Sequence, residues 1–352
     1  MKKVQANKRR LKIGFTLVEL LVVIAVIALL MAILMPGLNR VRQSAYAIKC
    51  GANMKNLGVA IDSYVSEAGV YPASYVYPFS ADGSIDLERQ PDDHPYGYLH
   101  WSWYLFDSGR CDQSAFTCPA IENGGAPRTN PGLRRQDWEQ DQVDQNGNTK
   151  PNSLSDRQAP RMAYTANGAI IPRNKFKGTG FSALQRHNRL VKPTEIERPS
   201  EVILITEFNR NWRSLAIQSS GGLLVKSHRP VTPFSHTATG YQGTGIYNAP
   251  KDSPAFRYGD WTAADYGLKS LREIKSGHDL LDGGTGHPLN AVGRHHPYSG
   301  SWVNSAGEPM GGTTNFLYCE GHVARKTLIE TLDKLEWGKK LYSITGLKIV
   351  QY

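Results

Sequence analysis

The sequence predicts an α+β protein, with one long N-terminal helix joined to a loop-rich body that contains strands. Three observations carry this. Residues 15–35 form an unbroken apolar run with a single charge, Glu19. Apolar residues then recur at three- and four-residue steps, at Leu38, Val41, Ala45 and Ile48 and again at Met54, Leu57, Ile61 and Tyr64, which is the period of a helix with one buried face. Beyond residue 69 the chain is rich in Gly, Pro, Asn and Ser and holds short apolar runs of strand character at 202–208 and 316–323. With 352 residues, 40% hydrophobic and 20% charged, the chain can build a real core and is not wholly disordered. A mean hydropathy of −0.42 excludes a polytopic membrane protein.

The elements follow in chain order. Residues 1–14 contain Lys2, Lys3, Lys8, Arg9, Arg10 and Lys12 and no acid, so they hold six of the ten net positive charges. The body is nearly balanced, which gives little support for nucleic-acid binding, and no nucleic-acid partner is expected. The apolar run matches the roughly 20 residues needed to cross a bilayer. It is longer than the apolar core of a secretory signal, and no A-x-A cleavage pattern follows it, so the segment is expected to stay in the mature protein. The basic flank should remain cytoplasmic, with the bulk of the chain outside. Glu19 is the anomaly, because a carboxylate this close to lipid costs a few kcal/mol unless it is hydrated at the interface or meets a cation from another chain.

Residues 37–68 read as an amphipathic continuation of the same helix, ended by Gly69 and Pro72. Pro36 removes one backbone hydrogen bond and is expected to kink the helix. Further on, short helices are expected at 98–106 and 327–337, and a third strand at 347–351. Residues 137–152 are too polar for a core and read as an exposed loop. The expected division is thus 1–14, 15–36, 37–68 and 69–352, with no internal repeat.

Other chemistry is sparse. No Walker loop, His-Glu-x-x-His or Gly-x-Ser-x-Gly occurs, and glycines 240, 243 and 245 lack the strand and helix of a nucleotide site. A calcium loop could begin at Asp144 with Asn146 and Asn148, but Thr149 and Ser155 stand where glycine and glutamate belong, so a solvated loop is the default. His278, His287, His295, His296 and His322 cluster late with Asp279, Asp282 and Glu320. They lack zinc-ligand spacing and read as structural hydrogen-bonders, with metal binding left open. No catalytic residue and no cofactor is expected. Cysteines 50, 111, 118 and 319 allow three complete pairings; they can oxidise in an extracytoplasmic compartment, and Cys111–Cys118 is easily closed.

Gly14-Phe15-Thr16-Leu17-Val18-Glu19, behind a basic leader and before the apolar run, resembles the processing site of type IV prepilins and type II secretion pseudopilins. The resemblance implies cleavage after Gly14 by a prepilin peptidase, N-methylation of Phe15, and an assembly or processing role for Glu19 at the fifth mature position. Pro36 falls where many such pilins carry a helix-kinking proline. Lys49-Cys50, Asn53, Lys55-Asn56-Leu57-Gly58, Gly69-Val70-Tyr71-Pro72, Trp101-Ser102-Trp103, Phe116-Thr117-Cys118-Pro119 and Tyr164-Thr165-Ala166-Asn167 look like successive elements of a large planctomycete- and lentisphaera-type family of such proteins. So do Arg198-Pro199-Ser200 and the segment from Asn315 to Val323.

That family ends in a His-x9-Asp-Gly signature. Here Glu320 replaces the aspartate before Gly321 and His322, and His295 and His296 lie more than twenty residues upstream, as an insertion through 299–312 would produce. The family's helix cysteine and Pro-preceding cysteine correspond to Cys50 and Cys118, so the resemblance favours that disulfide. It also implies the pilin-like fold, in which the helix packs on an antiparallel sheet with large loop insertions. The implied function is a structural subunit rather than an enzyme. It would be single-pass in the inner membrane with an extracytoplasmic C-terminal domain, then part of a periplasmic or cell-surface filament with other pilin-like subunits. The alternative is a non-assembling, membrane-anchored binding protein exported by the same route.

Overall fold

A computed structural model describes residues 16–76, 96–173, 188–219, 221–236, 256–258, 268–270, 288–300, 302–304, 306–344 and 350–351. The long helix, α1, runs over Leu17–Ala68 and stays helical through Pro36. The chain divides into two compact units, Met1–Ser44 and Ala45–Tyr352.

In the first unit every residue from 16 to 44 is exposed, including Leu17 at 79% and Ile33 at 70%. In the second unit α1 buries a stripe at Ala47, Cys50, Met54, Leu57, Ile61 and Val65. These are the three- and four-residue steps of one helix face. Of the stripe expected from the sequence, Met54, Leu57 and Ile61 are buried and Tyr64 is half-buried, but Leu38, Val41, Ala45 and Ile48 are exposed, because the body covers the helix only from Ala47 onward. The helix ends at Gly69, whose positive φ of 72° is a backbone conformation that glycine adopts at little cost.

Against that stripe lies a four-stranded antiparallel sheet. Its strands are β1 (Tyr164–Ala166), β2 (Ile203–Glu207), β3 (Thr314–Tyr318) and β4 (Val323–Lys326). Their order across the sheet is β4-β3-β2-β1. Phe316 pairs with Thr206 and Thr165 with the same Thr206, while Tyr164 pairs with Glu207. Every residue of β1, β2 and β3 is buried. A sheet covered on both faces needs apolar residues without alternation, which is why 202–208 reads as a continuous run. Close approach of helix and sheet depends on Gly58, where an added Cβ would come within 3.0 Å of Leu317.

Several expectations are corrected. Residues 316–323 are not one strand. Gly321, with φ of 91°, reverses the chain so that β3 and β4 form a hairpin. The segment 98–106 begins as strand Tyr96–His100 and becomes α2 (Trp101–Phe106) only after His100, whose ring Nδ1 accepts the Ser102 N–H at 3.2 Å. Of 327–337, α3 occupies Leu328–Asp333 behind a Thr327–Glu330 capping box, and a positive φ at Leu335 breaks the helical path. Of 347–351 the described part is Val350–Gln351, a strand parallel to Phe256–Tyr258.

Residues 137–152 are a solvated loop only in part. Gln142–Val143 pairs in parallel with Leu223 and Leu224, and Asp144 is fully buried. The rest of the segment is largely exposed, at Gln140, Asp141, Gln145, Asn146 and 148–150, so the expected loop is solvated on its outside and anchored through Asp137, Trp138 and 142–144. With three smaller three-stranded sheets that include parallel pairs, the body is mixed around its antiparallel centre.

Candidate functional site

At the start of α1 the Glu19 carboxylate accepts the Thr16 backbone N–H at 2.9 Å and the Thr16 hydroxyl at 2.8 Å. The Glu19 N–H in turn donates to Thr16 Oγ1 at 3.2 Å. This reciprocal capping box satisfies two of the orphan donors at a helix start. Glu19 is exposed. Gly14 and Phe15 lie outside the described residues. An 18-residue window of α1 has a mean hydropathy of 3.2 and no buried residue, so the helix is long and apolar enough to cross a membrane.

The other end of α1 is fastened to the body. Cys50 and Cys118 form a disulfide, while Cys111 and Cys319 are free. Around that bond, Asn53 Nδ2 donates to the Thr117 carbonyl at 2.8 Å, and the Tyr164 hydroxyl donates to the Cys50 carbonyl at 3.0 Å. Lys55 Nζ donates to the carbonyl of Gly321 in the β3–β4 turn. A disulfide flanked by buried hydrogen bonds fixes the helix more firmly than apolar contact alone, which is non-directional.

Beside the disulfide sits a buried polar cluster. Glu207, at the end of β2, is fully buried. His296 Nε2 lies 2.9 Å from both carboxylate oxygens. The Asn315 backbone N–H donates to Glu207 Oε2 at 3.0 Å, and Asn315 Nδ2 donates both to Glu207 Oε1 and to the Ala47 carbonyl of α1, each at 3.0 Å. Burial pushes the Glu207 carboxyl up, but the His296 hydrogen bond, the two neighbouring imidazoles and the Asn315 amide together hold it below its ordinary range. His295 lies 4.0 Å from Glu207. Burial, only partly opposed by Glu207, pushes its imidazole down to about 4.

The residues of the C-terminal signature therefore separate. His295 and His296 join Glu207, whereas Glu320, Gly321 and His322 form the β3–β4 turn. There His322 Nδ1 pairs with Glu320 at 2.9 Å, half-exposed, and its ring stacks on Tyr318 at 4.2 Å. His278, His287, Asp279 and Asp282 lie outside the described residues. At Asp144 the carboxylate accepts the Asn146 and Asn148 backbone N–H groups and the Asn148 and Asn152 side-chain amides, all within 2.9 Å.

Sequence reasoning passed over Glu207, and it placed Tyr164 and Asn315 only in segments that resemble the family, without a role at the helix–sheet junction. The available signal was the position of Glu207 itself, since a carboxylate closing the run Ile203-Leu204-Ile205-Thr206 must find partners if that run is buried.

Residues 9–35 match the family model of the prokaryotic N-terminal methylation motif. The N-terminal segment is thus of the prepilin cleavage and methylation type. No curated protein and no solved structure matches the chain.

Proposed function

We propose that this chain is a pilin-like structural subunit that assembles into a type IV pilus or a type II secretion-type filament. The observation that carries the reading is a methylation motif that leads, without a break, into an exposed apolar helix. In the precursor, lipid covers that surface. The basic residues 1–14 favour a cytoplasmic N-terminus and an extracytoplasmic body. A prepilin peptidase cuts after Gly14, whose lack of a side chain leaves the bond before Phe15 accessible, and Phe15 is then methylated. The helix leaves the bilayer to pack against the helices of other pilin-like subunits. On this reading the subunit is structural rather than enzymatic.

Cleavage gives Phe15 a positive amine four residues before Glu19, on the same helix face. In a filament the amine of an incoming subunit meets the Glu19 of one already placed. An unpaired carboxylate in a nearly dry helix bundle is costly, so the pairing favours one axial register. The capping box holds Glu19 until then.

Mass spectrometry of the protein from cells that contain the peptidase tests the first step. The expected mass lacks residues 1–14 and gains one methyl group, and an intact leader or a cut near residue 36 would refute it. Recovery of the processed chain in sheared filaments tests the second step. A processed chain that stays in the membrane and never crosslinks to neighbouring helices would favour the anchored binding protein instead.

A further inference from the structure

The donor atoms of Cys50, Cys118, Glu207 and His296 all lie within 4.8 Å of one another, and all four residues are buried. They come from four places in the fold: α1, the segment before Pro119, the end of β2 and the segment before β3. Asn315 holds the Glu207 carboxylate through two hydrogen bonds at 3.0 Å. Among the described residues, His296 Nδ1 and both ring nitrogens of buried His295 have no hydrogen-bond partner. The filament reading assigns this cluster no task, and the inference does not rest on that reading.

We propose that the dithiol form of the protein binds one zinc ion through Cys50 Sγ, Cys118 Sγ, His296 Nε2 and a Glu207 oxygen. Two thiolates, an imidazole and a carboxylate make a complete tetrahedral set, and two thiolates select zinc over calcium or magnesium. The ion takes the place of the proton between His296 and Glu207. Their 2.9 Å separation needs to widen only to the edge of a tetrahedral site, about 3.3 Å for bonds of about 2.0–2.1 Å. The two sulfurs must part to about 3.7 Å for Zn–S bonds of about 2.3 Å. The proposal requires side-chain rotation to open this gap over the Cα–Cα distance of 5.1 Å found in the disulfide form. Asn315 supplies the outer hydrogen bonds that orient a ligating carboxylate. The site is closed to solvent and therefore structural.

An external dithiol gives two electrons and two protons to the Cys50–Cys118 bond and becomes a disulfide itself, leaving two thiols. Zinc then displaces both thiol protons to solvent. The proton on His296 Nε2 moves to Nδ1, whose position is open. Disulfide and metal exclude each other, because bonded sulfurs carry no charge to donate. Zinc can thus hold α1 against the sheet before the disulfide forms.

The test uses the full-length chain in detergent micelles, reduced with a phosphine under argon, freed of reductant and titrated with Co²⁺ and then Zn²⁺. One cobalt per chain should bind, with thiolate-to-cobalt charge-transfer absorption and intense tetrahedral bands that zinc abolishes. Zinc should release two protons per chain, and the disulfide form should bind neither ion. His296→Ala and Glu207→Gln should each weaken binding at least tenfold, while Cys111→Ser and Cys319→Ala leave it unchanged. A reduced wild-type chain without the charge-transfer band, folded or not, would overturn the proposal. So would equal affinity in the His296 and Glu207 variants, or loss of the band in the Cys111 or Cys319 variants.

Discussion

Residues 17–44 and 45–68 belong to one helix, share one backbone geometry and are both rich in apolar side chains, yet they differ in every tertiary respect. The first stretch buries nothing within the chain. The second buries a stripe, carries half of a disulfide, and offers its Ala47 and Cys50 carbonyls to Asn315 and Tyr164. Apolar content therefore does not decide burial. What separates the two is interruption. In the second stretch polar residues such as Lys49, Lys55 and Asp62 leave one apolar stripe for a sheet, whereas the apolar surface on all sides of residues 17–35 suits lipid or other helices. The first stretch should govern where the protein goes and what it assembles with, and the second should govern whether the body stays folded.

That contrast can be broken by mutation. The largest stability loss is expected for Glu207→Ala, which leaves buried His296 and Asn315 without their common partner. Removal of one side of such a buried pair costs about 3–5 kcal/mol, readable as a lower unfolding midpoint of the full-length chain in detergent. Next comes Cys118→Ser, which should cost about 2–4 kcal/mol. Non-reducing peptide mapping of the wild type should join the peptides containing Cys50 and Cys118.

Acid should act through the same region. His295 has its folded pKa at about 4 against an unfolded value near 6.5. Between these values the unfolded chain binds more protons, so stability falls as pH drops from about 6.5 to 4, by about 3 kcal/mol. Glu207, held below its usual range, adds its own loss at lower pH still. A flat unfolding midpoint across pH 4–6.5 would show that His295 is not held neutral.

The smallest stability effect, within about 0.5 kcal/mol, is expected for Glu19→Ala. The body should melt as before and the leader should still be removed, while entry into sheared filaments fails in cells that lack the native protein. Filaments at wild-type levels would remove the register role. A large drop in melting temperature would erase the contrast between the two stretches. A bulky residue in place of Gly14 should block cleavage and likewise leave the melting temperature unchanged.

Sequence alone determined the features whose cause is local. A run of apolar residues needs no partner in the chain to be recognised as membrane-compatible. A period of 3.6 residues declares a helix face, and the Gly14–Glu19 pattern is read within six positions. The disulfide was legible only through resemblance, since four cysteines leave three pairings open. Tertiary structure decided what depends on distant contacts. Glu207 and His296 are 89 residues apart and Asn315 and Ala47 are 268 apart, so no local pattern could pair them. Within the polar segment 137–152 the buried anchor Asp144 was missed for the same reason, because polarity predicts solvent unless the folded chain supplies the partners that let a carboxylate be buried. Turns did likewise at Gly321 and Leu335, where a single positive φ divides a run that periodicity treats as continuous. Local periodicity reports which face a segment must hide. Only the closed fold settles what hides it, because the cost of burying a charge is met by whichever donors the rest of the chain brings within reach.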